Sequence, residues 1–98
     1  MRDYEVVFVI KPDLEAEATA AIVEKFTQLI AEQGGEVTKL TQWGKKRMAY
    51  EVRKYREGYY VLAEFKGTPA AVQELERVLK ITEEILRYLV TRLDDRAS

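Results

Sequence analysis

A chain of 98 residues is long enough to bury one hydrophobic core and too short for two, so a single domain is expected. It contains no Cys and no His, which removes thiol chemistry, disulfide staples, the usual zinc ligands and the commonest general base together. Its 16 cations and 17 acids leave a net charge of −1, a balance that argues against nucleic-acid binding unless the positive charge is gathered in one place.

Tyr4, Val6, Phe8 and Ile10 alternate with Asp3, Glu5, Val7 and Val9, the period-two pattern of a strand with one thoroughly apolar face. Lys11-Pro12-Asp13 breaks the strand, and Asp13 is placed to cap a helix. In that helix Ile22, Phe26, Leu29 and Ile30 recur at helical spacing up to a stop at Gly34-Gly35. Residues 36–52 read as a long polar extended segment. A turn is expected near Arg56-Glu57-Gly58, after which Tyr59 to Lys66 returns as the second arm of a β-hairpin. Thr68 caps and Pro69 opens a second helix with Val72, Leu75 and Leu79 on one stripe, and Ile85 to Leu93 alternates as a last strand. The domain is thus expected to span 1–93, with a short C-terminal tail at 94–98.

This order, βαββαβ, predicts an α+β ferredoxin-like fold: a four-stranded antiparallel sheet with two helices on one face. Parity assigns Val6, Phe8, Ile10, Tyr59, Val61, Ala63, Phe65, Tyr88 and Val90 to the helix side. The opposite parity leaves Val7, Val9, Tyr60, Leu62 and Leu89 on an uncovered face, where several apolar groups together mark a protein-partner surface.

The charge is far from evenly spread. Residues 39–56 hold seven cations against one acid, Glu51; this +6 leaves −7 for the rest of a chain whose total is −1. Tyr50, Tyr55, Tyr59 and Tyr60 are interleaved with the cations. Clustered Lys and Arg attract phosphate by counterion release, and aromatic rings offer stacking surfaces for unpaired bases. Lys45, Lys46, Arg47, Arg53, Lys54 and Arg56 are therefore the candidate RNA contacts, with Arg2, Arg87 and Arg92 completing the set. Trp43 and Tyr50 flank the run seven positions apart and face opposite sides of an unbroken strand. Tyr50 is expected to pack at the domain margin, with Trp43 nearer the partner or the RNA; a bulge at Gly44 would invert the relation.

Site chemistry for catalysis is thin. The single serine is Ser98, and the adjacent pairs Glu83-Glu84 and Asp94-Asp95 read as ordinary surface charge, so the chain is expected not to be an enzyme and to need no cofactor or metal. No apolar run approaches the roughly 20 residues of a membrane span, and the start Met1-Arg2-Asp3-Tyr4-Glu5 has no signal-peptide core, which points to the cytosol.

Trp43-Gly44-Lys45-Lys46-Arg47-Met48-Ala49-Tyr50-Glu51-Val52-Arg53 closely resembles the signature of the bacterial family of the sixth small-subunit ribosomal protein. That signature is commonly Trp-Gly-basic-basic-x-Leu-Ala-Tyr-x-Ile-basic. The likeness extends to the opening Met-Arg-x-Tyr-Glu, the Pro12-Asp13-Leu14 turn, Gly58-Tyr59-Tyr60 and Arg87-Tyr88. Met48 and Val52 replace the usual Leu and Ile with similar apolar bulk, while Glu51, where many relatives carry Pro, places an acid inside the basic strand. The resemblance implies a cytoplasmic structural constituent of the small ribosomal subunit. It would bind the central domain of the 16S rRNA together with the eighteenth small-subunit protein.

Two other readings share the fold. An RNA-recognition motif would present paired aromatics on the open face, but parity turns Phe8 and Tyr59 toward the helices. A small-ligand or regulatory ferredoxin-like module would need an anion-binding loop; the chain has no Asn, and Gly34-Gly35 is better read as a helix stop.

Overall fold

The computed structural model describes residues 1–93; residues 94–98, expected as a tail, lie outside the described residues. The elements are β1 (Arg2–Ile10), α1 (Ala16–Glu32), β2 (Glu36–Val52), β3 (Tyr55–Gly67), α2 (Pro69–Ile81) and β4 (Ile85–Arg92). The strands form one antiparallel sheet in the order β2-β3-β1-β4, so the fold is the expected ferredoxin-like βαββαβ.

Register puts the expected parity into practice. Val6, Phe8 and Ile10 pair with Ala63, Val61 and Tyr59, and this face meets Val23, Phe26 and Ile30 of α1 and Leu75 and Leu79 of α2. The Phe8 and Phe26 rings lie 5.3 Å apart in a tilted pair, and Tyr4 stacks on Phe65 at 5.5 Å. Because Phe8 is buried and Tyr59 packs against the same core, no aromatic platform is left for stacking bases on the open face.

The helix ends follow local chemistry. α2 starts as expected, with the Thr68 hydroxyl accepting from the Ala71 N–H at 3.2 Å and Pro69 in the first turn. α1 ends in a paired C-terminal motif: Gly34, at φ +82°, donates to Ala31 O and Gly35 to Ile30 O. Its start corrects the expectation. The capping position is Glu15, without a side-chain cap bond, because the Asp13 carboxylate is taken by the Tyr55 hydroxyl at 2.9 Å.

Phe26→Ala, which empties the centre of the helix–sheet core, is expected to cost about 3–5 kcal/mol of unfolding free energy, and Thr68→Ala about 1 kcal/mol. Urea denaturation followed by circular dichroism measures both. Equal losses would mean that α2's cap, not the core, limits stability.

Candidate nucleic-acid interface

The basic segment occupies the β2–β3 hairpin, and its geometry departs from a regular ladder at both ends. The connection is a two-residue turn at Arg53-Lys54, both at positive φ (48° and 71°), and not the expected turn at Arg56-Glu57-Gly58. Such backbone is uncommon outside Gly, Asn and Asp, and here the turn is tied down from outside. The Arg53 guanidinium donates to the carbonyls of Glu83 and Ile85 at 2.9 and 2.6 Å, and beside it Tyr55 reaches Asp13. This hydrogen bond, reinforced by burial and by the carboxylate's charge, raises the Tyr55 phenol above its ordinary value. Arg53, expected to meet RNA, therefore spends its fork of donors on the loop before β4.

Gly58 lies within β3 opposite Lys46. Its role is close approach: a Cβ at this position would stand 2.1 Å from Val9 Cγ1. Val9 fills that space from the open side of the sheet. Between the Arg47–Glu57 and Val52–Tyr55 pairs, β2 carries four residues where β3 carries one, and this large irregularity turns Met48 onto Val9 and Leu86. Leu86 is itself the extra residue where Ile10 opposes Ile85 and Val9 opposes Arg87. Val9 is consequently 4% exposed, and its assignment to a protein partner is corrected: the hairpin already covers it.

Tyr50 is likewise corrected. It does not pack at the margin but projects into solvent, 59% exposed, with the Arg87 guanidinium 4.8 Å from its ring centroid. Trp43 is 47% exposed. It is the extra residue of a second bulge, between the Gln42–Val61 and Gly44–Tyr60 pairs, so simple parity between Trp43 and Tyr50 does not hold. Of the other open-face candidates, Val7, Tyr60 and Leu62 are half-buried and Leu89 is exposed.

Lys45, Lys46, Arg47, Lys54 and Arg56 are all exposed and gather at the end of the sheet where Ile10 pairs with Tyr59, and Arg87 joins them opposite Val9. Arg56 lies 3.6 Å from Glu51, so the acid inside the basic strand is paired with a neighbouring cation. Arg2 opposes Gly67 and Arg92 opposes Tyr4, which places both at the opposite end of the sheet. Lys11, not anticipated as a contact, enters the cluster. It follows β1 directly, pairs with Glu83 at 3.2 Å and lines a depression with Lys45. Its position between an apolar strand and Pro12 was the available signal.

A family model described as Ribosomal protein S6 matches residues 3–92. The chain belongs to the ribosomal protein S6 family. It is 78% identical to the small ribosomal subunit protein bS6 of Moorella thermoacetica over the full length of both chains. With that of Heliobacterium modesticaldum it is 51% identical, over 98% of this chain and all of the relative. The crystal structure of 30S ribosomal protein S6 from Thermotoga maritima superposes with a TM-score of 0.90 at 32% identity, covering 98% of this chain and 94% of that one. S6 family membership makes the chain a structural constituent of the small ribosomal subunit, and hence a protein of the bacterial cytoplasm. In S6 terms, the signature around Trp43-Gly44 coincides with the first bulge and the basic strand that follows it.

Gly58→Ala is expected to destabilise the fold by about 1–3 kcal/mol through overpacking against Val9. Adding Val9→Ala should recover part of that loss in a double-mutant cycle of denaturation free energies. Additive losses would show that Gly58 serves the backbone and not the Val9 contact.

Asp13→Asn should bring the Tyr55 titration down toward the ordinary phenol value of 10.0, since it removes the carboxylate acceptor and its charge. NMR-detected titration of the ring resonances reads the shift directly.

Proposed function

We propose that the chain binds small-subunit 16S rRNA, in its central domain, through the basic β2–β3 hairpin, while the open sheet face docks the eighteenth small-subunit protein. The observation carrying this reading is the concentration of charge: seven cations and one acid over residues 39–56 in a chain of net −1, on an exposed hairpin. Phosphate neutralisation at that end supplies affinity, and the acidic remainder keeps non-specific polyanion binding low. Val7, Tyr60, Arg87 and Leu89 surround a groove of about 210 Å³ with Val9 in its lining, a shape suited to apolar side chains from a protein.

The test is reconstitution of both proteins with a central-domain rRNA fragment. Replacing Lys45, Lys46 and Arg47 together by Gln should reduce the magnitude of the salt slope by about two units, whereas Lys80→Gln on α2 should leave it unchanged. An unaltered slope in the triple variant would remove the hairpin from the interface. Leu89, 64% exposed, tests the other face: Leu89→Asp should leave the melting temperature intact and abolish association with the partner protein. Retained association would move the docking surface elsewhere.

A further inference from the structure

Three consecutive cations make one cluster in sequence, but strand alternation divides them. Lys45 opposes Tyr59 and Arg47 opposes Glu57, on the parity that meets the helices, whereas Lys46 opposes Gly58 on the parity of Tyr60 and the open face. Where Lys45 and Arg47 emerge, the loop after β1 runs alongside the hairpin and leaves two shallow depressions on either side of Pro12. One, of about 240 Å³, is lined by Lys11, Thr19, Gln42, Lys45 and Tyr59; the other, of about 370 Å³, by Arg47, Lys54, Tyr55, Arg56 and Glu57.

We propose that these depressions form one basic trough for consecutive phosphates of a single RNA strand. Lys45 with Lys11 holds one phosphate, and Arg47 with Lys54 the next. Lys46, on the far side of the strand, takes no part. This rests on the RNA-binding reading above and says which face of the hairpin the strand follows.

Spacing and charge support the assignment. Residues two apart on a strand lie about 6.8 Å apart, comparable to the separation of neighbouring phosphates along an extended RNA backbone. Among the described residues Lys45, Arg47 and Lys54 make no ion pair, so their charges are open to a ligand, while Lys11 already shares Glu83. The acids facing the trough are Glu57 and Glu83, with Asp13 accepting the Tyr55 hydroxyl. Gln42 accepts from the Tyr59 hydroxyl at 2.8 Å, which orients that phenol at the trough wall. Tyr55 and Tyr59 are tied by these bonds, so the trough reads backbone charge and not base identity.

Single substitutions in the reconstituted complex with the central-domain rRNA fragment separate the two faces. Lys45→Gln and Arg47→Gln should each lower the magnitude of the salt slope by about 0.7 of a unit, Lys46→Gln should leave it unchanged, and Glu57→Gln should tighten binding. All four positions are exposed, and unchanged thermal melts would confirm that folding is not the variable. A loss at Lys46 equal to that at Lys45 and Arg47 would overturn the trough while leaving hairpin binding intact. A wild-type complex whose affinity shows no salt dependence would overturn the RNA-binding reading itself, and the trough with it.

Discussion

A four-stranded sheet has two faces, and the two helices here cover one of them. Everything distinctive about the hairpin end of the molecule follows from how the chain manages the second face. β-strand parity commits Val7, Val9, Tyr60 and Leu89 to that side as strictly as it commits Val6, Phe8 and Ile10 to the core. The chain covers part of the exposed surface itself. Extra residues in β2 carry Met48 onto Val9 and Leu86, and the missing side chain at Gly58 makes room for Val9. The remaining apolar rim, ending in Leu89, is what the proposed protein partner would cover.

Periodicity made the element order, both helix spans and the sheet parity legible, because alternation at two and recurrence near 3.6 are direct consequences of backbone geometry. What failed to show were features in which a residue's usual meaning was overridden by a distant contact. Gly58 looked like a turn glycine and is a packing glycine, since its demand comes from Val9 on another strand. Asp13 looked like a helix cap and is a hydrogen-bond acceptor for Tyr55, 42 positions away. Val9 looked exposed because nothing in β1 announces the irregularity after Arg47 that buries it. Tyr50 was displaced from its expected place by the same irregularity, which breaks the parity count between it and Trp43.

The cluster of charge was the most visible part of the site, yet composition could not divide it by role. Arg53 and Lys54 are adjacent cations of the same run. The structure gives Arg53's donors to backbone carbonyls near β4 and leaves Lys54 without an ion pair among the described residues. Arg56 is matched with Glu51, Arg87 with the Tyr50 ring, and Lys11 with Glu83. Exposed pairs of this kind contribute little to stability, and their greater consequence is to set which charges remain open to a ligand. Counting cations therefore overstates the number of contacts that a single strand can make.

The turn that Arg53 secures bears on how such an interface would work. Two adjacent non-glycine residues at positive φ form a conformation that an isolated hairpin would adopt at some cost, and a long hairpin at a sheet edge is otherwise poorly restrained. Two carbonyls held by one guanidinium and a phenol held by Asp13 oppose that tendency from two sides of the tip. The hairpin is thereby fixed against the body of the domain with its cations already sorted onto their faces. An RNA strand that meets a preset array loses less of its binding free energy to ordering the protein than one that must organise a mobile loop. On this view Arg53 serves the proposed interface by position: its charge is directed inward so that the charges of Lys45, Arg47 and Lys54 are presented in register.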